Sequence, residues 1–444
     1  MLANRLSLIA LSSLLLLSLW PHPVPAQTTP PTLWTTQEAV RYAIENSPDA
    51  QAAKHRIESA QADIKRAKAA FYPQLSVAGE YARTNNPLYS FGNILNQGVF
   101  SNSIDFNQPG LTDNLQLKAL LAYRFYNGGS DQAGLDMAHH RQQAAERQQQ
   151  SLHAELGYAV VRSFFTIVQA EETVQARESA VASLAASSQV AQARFDEGDL
   201  LKEELLNLQV QHSLALENLI QTRHGLALAR RGFLNLLGLT KGEPEIDLTG
   251  STFQQVPDDP DFHQRPEISA MREVVASFED GVRKSMAGYY PTADAFGSYQ
   301  VDKGYELDQG SGNSWLAGVR VNMSLFNGHQ TGAEVERAKA QLAEAKKQLN
   351  KMELAYNLEI EQAVLGLEQA EKRIQVTSQM VESAIESARL SRARFKEGLL
   401  LSSELIDTEN RLTDAKVRNA LANAEHRIAV ADLRRAAGLM QYPK

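Results

Sequence analysis

The sequence of 444 residues predicts an α+β membrane protein in which one helix-strand-strand-helix-helix unit occurs twice. Three observations predict this fold class: an internal repeat, a hydrophobic period that changes twice within each copy, and an N-terminal export signal. We expect the first structural repeat at residues 36–239, a proline-containing connector at 240–266, and the second repeat at 267–444.

The N-terminal segment has the features of a secretory signal peptide over residues 1–26. Arg5 supplies a positive charge, residues 6–19 are apolar, and small residues precede Gln27. The apolar stretch is shorter than the roughly 20 residues that a membrane-spanning helix needs, and prolines follow it, which favours cleavage over a retained anchor. We expect residues 27–35 to form a leader. Because no later apolar run is long enough, any membrane insertion must use strands.

Matching turns define the repeat. Three motifs occur in both copies and in the same order: Phe71-Tyr72-Pro73 with Tyr289-Tyr290-Pro291, Tyr126-Asn127-Gly128 with Phe326-Asn327-Gly328, and the Arg-Phe-x-x-Gly segments 194–198 and 394–398. The first copy is longer than the second between its two strands. Those extra residues lie within 85–114, where Asn, Gly, Ser and Phe predict an enlarged loop, whereas a short Gly-rich turn at 303–313 serves the second copy.

Each copy contains two segments in which apolar and polar residues alternate, as expected for strands. We predict the four strands at about residues 74–83, 115–126, 292–302 and 314–326. A half-buried sheet of a soluble protein gives the same alternation. Strand lengths near ten residues, aromatic residues near the strand ends and the export signal favour strands in a membrane.

Helical patterns occupy most of the remaining chain. A helix is expected from about 36 to 70, where Pro73 prevents its continuation. After the Asn-Gly turns, helical patterns cover 130–197 and 330–397, which at about 1.5 Å per residue corresponds to roughly 100 Å. Their apolar residues recur at coiled-coil spacings. Gly198 and Gly398 interrupt the patterns and predict the tips of two long antiparallel hairpins.

A four-stranded sheet in lipid has two unpaired edges, whose bare backbone groups are costly in hydrocarbon. The chain is therefore expected to close a barrel by association. Two protomers would give eight strands around a barrel filled by side chains, and three would give twelve strands around a passage. With long helices continuing the barrel as a tube, the expected function is a conduit.

Composition and motifs exclude several other classes of protein. The chain has no cysteine, so disulfides, thiolate metal sites and lipid attachment to an N-terminal cysteine are excluded. A net charge of -8 argues against a nucleic-acid partner. P-loop, GxSxG, HExxH and CxxC patterns are absent. We expect no enzyme, no catalytic residue, no cofactor and no metal site.

The paired order of the Tyr126-Asn127-Gly128-Gly129 and Phe326-Asn327-Gly328 turns and of the Arg-Phe-x-x-Gly tips resembles the outer membrane efflux protein family, the TolC-like channels. The resemblance covers nearly the whole chain after the signal peptide. It implies a homotrimer with a twelve-stranded β-barrel in outer membrane lipid and an α-helical coiled-coil tunnel across the periplasm of a Gram-negative bacterium. Without a cysteine, this chain would not be lipidated.

The resemblance also implies a function and partners. The expected function is the exit duct of a tripartite efflux or type I secretion system, which docks to a periplasmic adaptor and an inner-membrane pump of the RND or ABC type. The alternative is a periplasmic coiled-coil adaptor or scaffold without a membrane barrel. Long hairpins are consistent with that alternative, but four alternating strands in two matched pairs are not.

Family channels narrow at the periplasmic end, and the resemblance carries two sets of residues onto this chain. Glu404 and Asp407 stand at the acidic constriction positions, with Glu204 and Asn207 at the equivalent positions of the first copy. Acidic residues at a helix start also complement the helix dipole, which is the alternative interpretation. The residues expected at the adaptor-docking tips are Gly198, Gly398, Phe195, Phe395, Leu200 and Leu400.

The second tip departs from the family pattern in one respect. Some members close the constriction with a basic residue just after the tip glycine, whereas this chain has Leu399, Leu400 and Leu401 there, and Phe395 lacks a hydroxyl. Any polar latch must therefore differ, and an apolar tip suits packing against an adaptor hairpin.

Overall fold

A computed structural model of the chain describes residues 31, 33–251, 254–306 and 309–442. The predicted signal peptide, and residues 27–30 and 32 of the predicted leader, lie outside the described residues. Within the described ranges, no helix combines the length and the apolar character that crossing a membrane would require.

The first repeat contains two short helices, a long helical hairpin and two long strands with a helix between them. Its elements are β1 (Leu33–Trp34), α1 (Thr36–Asn46), α2 (Pro48–Lys68), β2 (Gln74–Thr84), α3 (Pro87–Asn96), β3 (Thr112–Tyr126), α4 (Ser130–Asp196) and α5 (Lys202–Leu236).

The connector contributes one short strand, β4 (Glu245–Ile246), and the second repeat follows it. The elements of the second repeat are α6 (Pro266–Met286), β5 (Thr292–Lys303), β6 (Ser311–Asn322), α7 (Gln330–Lys396) and α8 (Ser402–Ala436). The order helix, strand, strand, helix, helix is therefore the same in both repeats.

The four long strands form one antiparallel sheet in the order β2-β3-β5-β6. Because every neighbouring pair is antiparallel, the two edge strands β2 and β6 run in opposite directions. Residues opposite each other share a face, so the register separates an apolar face from a polar face. The polar face carries Glu80, Gln116, Lys118, Gln300 and Asp302.

The apolar face of the sheet is exposed in the single chain. Its side chains are exposed over much of their area, up to 76% for Trp315, and include Leu75, Val77, Leu117, Leu121, Tyr299, Val319 and Val321. An apolar surface of this extent on a soluble chain would be unusual, and such surfaces mark contacts with a partner or a membrane.

Each strand pair is followed by a long helical hairpin. In both repeats the first helix of the hairpin has 67 residues and the second has 35. The longer helices extend about 100 Å at the usual rise per residue. α4 is the central helix of the chain, since it packs against α1, α2, α5, α6 and α8.

The main hydrophobic core lies where the two repeats and the connector meet. Trp34, Phe164 and Phe233 are almost fully buried there, with their rings in edge-to-face contact. β1 pairs with β4 in parallel and so fixes the leader to the connector. The connector is therefore part of the folded body.

A buried ion-pair network fastens the end of the connector to the second hairpin. The side chain of Arg265 is 4% exposed and contacts Glu267 at 3.1 Å and Glu359 at 2.6 Å. Glu359 also contacts Arg435 of α8. A buried guanidinium needs this compensation, so loss of one of the two carboxylates would leave the charge of Arg265 only partly compensated.

The structure differs from the sequence-based expectation in three elements. The helix expected over 36–70 is two helices, because Ser47 is extended before Pro48 and caps the second helix through its hydroxyl. The expected loop at 85–114 contains α3, with Asn86 as its cap and Pro87 at its first position. The strand expected to reach 326 ends at Asn322, where Thr292, the first residue of its partner strand, is paired.

The two Asn-Gly turns before α4 and α7 provide a matched test of this packing. Gly128 and Gly328 both have positive φ, so alanine at either position costs about 1–2 kcal/mol. Only at Gly128 would an added Cβ collide with a neighbour, lying 2.7 Å from Tyr290 Cβ and 2.9 Å from Ala287 O. We expect Gly128→Ala to lower the thermal unfolding midpoint more than Gly328→Ala does. The midpoint is measured from the loss of the helical circular dichroism signal on heating. Equal shifts would contradict the close packing of the two repeats at this turn.

Candidate functional site at the hairpin tips

The ends of the two long hairpins lie side by side in one chain. Gly198 and Gly398 adopt the left-handed conformation that ends each long helix, with φ of 88° and 77°. Further from the tips, Gln211 Nε2 of α5 donates to Asn410 Oδ1 of α8 at 2.8 Å. Equivalent segments of the two repeats are therefore neighbours at this end of the molecule.

Arg194 joins the two tips. Its Nη1 donates to the carbonyl oxygen of Phe395 in the other hairpin at 3.0 Å, and its Nη2 donates to the carbonyl of Asp199 at 3.2 Å. The guanidinium also lies 5.5 Å from the centre of the Phe395 ring. A Cβ on Gly398 would be only 3.1 Å from Arg194 Nη2, so glycine allows this close approach.

A small hydrophobic core supports the tips, and it contains residues expected from the sequence at the docking surface. We call it the tip cluster; its buried residues are Leu184, Ala191, Leu200, Leu205, Leu208, Ala215, Phe395 and Leu405. Phe195 and Leu400 are half-buried against it. Phe395 is 2% exposed and Leu200 is 8% exposed, so these two side chains pack inside the tip cluster.

The exposed apolar residues of the tips are different leucines. Leu201, Leu399 and Leu401 have exposed fractions of 70%, 74% and 57%. Of the residues expected at the docking surface, Phe395 and Leu200 are therefore buried within the tip cluster of the single chain. Sequence reasoning missed this because side chains next to a tip glycine alternate between the tip cluster and the surface, and no periodic pattern extends across the turn.

The expected constriction residues lie in the first turns of the second helix of each hairpin. Glu404 and Asp407 of α8 are exposed, as is Asn207 of α5, whereas Glu204 is half-buried. Asp407 Oδ2 lies 2.6 Å from Arg411 Nη2, an ion pair between exposed side chains four residues apart. The i, i+4 spacing of Asp407 and Arg411 is the sequence signal for this pair.

A buried carboxylate fixes the rotation of α8. Glu409 is 2% exposed and forms a two-pronged ion pair with Arg392 of α7, with Nη2 at 2.7 Å from Oε2. This hydrogen bonding raises the pKa of the Arg392 guanidinium. Asp407 precedes Glu409 by two residues, about 200° around the helix, so it points away from α7. Glu404 lies on the same side as Asp407.

The candidate site therefore offers apolar contacts through its exposed leucines and negative charge through its exposed carboxylates. In the parts of the chain that the structure describes, no group of three or more His, Asp or Glu side chains is arranged to hold a metal ion. Backbone carbonyls, guanidinium groups, exposed leucines and exposed carboxylates are the groups that this end presents.

Comparison with known proteins identifies the family. The sequence profile described as "Outer membrane efflux protein" matches residues 39–239 and 262–439, which together cover most of the chain. The chain belongs to the outer membrane efflux protein family. The resemblance found in the sequence is confirmed.

Curated relatives of this chain are distant in sequence. The outer membrane efflux protein BepC of Brucella suis is 22% identical over 62% of this chain, a match that spans 60% of BepC. The alkaline protease secretion protein AprF of Pseudomonas aeruginosa is 22% identical over 90% of this chain and 83% of AprF.

Solved structures share the fold. The outer membrane protein VceC of Vibrio cholerae aligns with a TM-score of 0.75 at 18% identity, covering 92% of this chain and 97% of VceC. The outer membrane channel CmeC of Campylobacter jejuni aligns with a TM-score of 0.80 at 14% identity, covering 92% and 87% of the two chains. The predicted α+β fold with a duplicated unit is confirmed.

The role of Arg194 can be tested at the tips of this efflux protein. Arg194→Ala removes hydrogen bonds from a charged donor to two carbonyls, each contributing about 1.5–3 kcal/mol. We expect hydrogen exchange of the amides at 195–201 and 395–401 to accelerate by about tenfold or more. Lys396→Ala removes the same charge from an exposed neighbouring position and should leave that exchange unchanged. Equal acceleration in both variants would show that Arg194 does not link the tips.

Proposed function

We propose that this protein is the exit duct of a tripartite efflux or type I secretion system in the outer membrane. It would conduct passively the substrates that an inner-membrane pump delivers, without a catalytic step. One observation carries the proposal. The sheet has an exposed apolar face, each of its strand pairs leads directly into a 67-residue helix, and the far ends of these two helices meet as paired tips.

The proposed assembly is a homotrimer with a twelve-stranded barrel. The outer edges of β2 and β6 have no partner strand within the described sheet. Since these edges run in opposite directions, β6 of one protomer can pair antiparallel with β2 of the next. Three copies close a barrel wide enough for a passage, whereas two copies would give a barrel filled by its own side chains.

The tips support the same assembly. Arg394 is the repeat equivalent of Arg194, and its guanidinium makes no hydrogen bond or ion pair with any described residue of its own chain. In a ring of six alternating hairpins, Arg394 would face Phe195 of the next protomer, as Arg194 faces Phe395 within the chain. The polar latch at the tips is then a hydrogen bond from an arginine of one hairpin to a backbone carbonyl of the next hairpin. Such a latch needs no side-chain hydroxyl.

The proposed partners are a periplasmic adaptor at the tips and, through it, an inner-membrane pump. Leu201, Leu399 and Leu401 offer the apolar contacts that a helical hairpin of an adaptor requires. One relative is named as an efflux protein and another as a protease secretion protein. A passive duct is compatible with either an RND or an ABC pump. Export would use residues 1–26, and the barrel alone would hold the cysteine-free chain in the membrane.

The proposed constriction is a ring of carboxylates near the tips. Glu404 and Asp407 from three protomers would supply six carboxylates, with Glu204 and Asn207 of the neighbouring hairpins beside them. Such a ring attracts cations. Because Arg411 offsets the charge of Asp407, we expect Glu404 to make the larger contribution.

Single-channel recording in planar bilayers tests both the duct and its constriction. We expect cation-preferring pores, with Glu404→Ala reducing the preference and block by divalent cations more than Asp407→Ala, and the double variant reducing them most. Glu368→Ala is the matched control, since it removes an exposed carboxylate of α7 that is also paired with a cation four residues ahead but lies far from the tips.

The outcomes separate the two claims. Pores with unchanged selectivity in the double variant would place Glu404 and Asp407 outside the conducting path and leave the duct intact. Absence of any pore from the purified, folded protein would contradict the proposed function itself.

A further inference from the structure

The segment between β2 and β3 is the main departure of the first repeat from the second. β2 ends at Thr84 and β3 begins at Thr112, whereas β5 ends at Lys303 and β6 begins at Ser311. The longer connection contains α3, and we call residues 85–111 the α3 segment. It lies at the end of the sheet opposite to the long helices, because those helices adjoin the other ends of the strands.

Hydrogen bonds hold the α3 segment on the polar face of the sheet. Gln97, which is 2% exposed, donates through Nε2 to the carbonyl of Asp113 at 2.7 Å and to Asn114 Oδ1 at 3.0 Å. Asn114 in turn donates to Asp302 Oδ1 at 2.7 Å. Asn114 and Asp302 belong to the face that carries Gln116 and Lys118. A buried amide satisfied in this way fixes the segment to that face.

Glycines on the neighbouring hairpin make room for the same segment. A Cβ built on Gly312 would lie 2.0 Å from the carbonyl oxygen of Asn96, and one built on Gly304 would lie 2.1 Å from Gln97 Oε1. In the register, Gly312 is opposite Asp302 and therefore on the polar face. The end of α3 thus crosses from β3 towards β6 over the polar face.

The α3 segment presents an apolar surface away from the sheet. Leu88, Tyr89 and Leu95 are exposed by 77%, 65% and 52%. Beside them, the rings of Phe91 and Phe106 lie against each other with centroids 3.9 Å apart and a tilt of 34°, and Phe100 packs edge-on against both. Nothing in the described chain covers Leu88, Tyr89 or Leu95.

We propose that the α3 segments of three protomers meet over the lumen and form an apolar constriction at the outer mouth of the barrel. The inference rests on the proposed function, because the polar face lines the lumen only in a closed barrel. A segment fastened to that face is held away from lipid. The apolar surfaces available to it across the mouth are the same segments of the other two copies.

Such a constriction gives the duct a barrier at the end opposite to the tips. Apolar constrictions impede ions and water by dewetting, without needing a charged latch. The described residues of the second repeat include no counterpart of α3, so each protomer would contribute one such segment and three of them would surround the axis.

Crosslinking tests whether the α3 segments of different protomers lie close together. Because the chain has no native cysteine, an introduced cysteine is the only thiol that can react. Leu88→Cys and Leu95→Cys, each alone, are treated with a short homobifunctional maleimide in isolated outer membranes. We expect covalent dimers of the chain in high yield. Leu248→Cys, an exposed position on the connector, is the control and should give none.

Conductance tests the barrier. The variant Leu88→Ser with Leu95→Ser keeps the buried Gln97 network and changes only exposed side chains, so the barrel should assemble. We expect a severalfold larger single-channel conductance than in the parent chain, and no change for Leu248→Ser.

Each result bears on the inference. Trimers that form normally but show no crosslinks at positions 88 and 95 would overturn it, as would unchanged conductance in the double serine variant, and both would leave the proposed duct intact. A parent chain that forms neither trimer nor pore would overturn the proposed function together with the constriction.

Discussion

The unpaired edges of a four-stranded sheet are the constraint on which the rest of the molecule depends. β2 and β6 each leave one row of backbone N–H and C=O groups without a strand partner, while the apolar face between them suits lipid. In hydrocarbon no water can satisfy those groups, so a lone chain is incomplete in the membrane. The opposite directions of the two edges allow copies to complete one another without a parallel pairing.

The duplicated sequence also leaves unpaired groups at the other end of the molecule, at the hairpin tips. Arg194 uses the carbonyl of Phe395 within one chain, whereas Arg394 has no equivalent acceptor among the described residues of that chain. A duplicated unit supplies two hairpins that are alike but not identical. In the proposed trimer, one set of contacts would form within a protomer and the other with its neighbour. The α3 segment breaks this equivalence at the opposite end, where, among the residues that the structure describes, the first repeat alone carries it.

Much of the fold followed from the sequence because its signals are periodic. Alternation specified the four strands, and coiled-coil spacing with a tip glycine specified the two hairpins. The same patterns did not reveal α3, whose cap Asn86 and first residue Pro87 lie in a segment rich in loop-forming residues. The patterns also did not predict that the first helix divides at Pro48. The division arises because the residue before a proline disfavours the helical conformation.

The candidate site was less predictable than the fold for a physical reason. The orientation of a side chain beside a turn depends on contacts between hairpins that are far apart in sequence. Phe395 and Leu200 therefore proved to be buried in the tip cluster, while Leu399 and Leu201 are exposed. The bond from Arg194 to a backbone carbonyl could not be found from residue types, since any residue supplies a carbonyl.

Disulfide formation between the sheet edges of different protomers tests the central claim most directly. Within one chain β2 and β6 are separated by two strands, too far for a disulfide. A scan would combine one cysteine at Leu75 or Val77 with one at Ala317 or Val319 and oxidise the outer membranes. The account predicts covalent trimers for pairs in register and none for single-cysteine chains. Covalent products that stop at dimers, or no products from any pair, would contradict it.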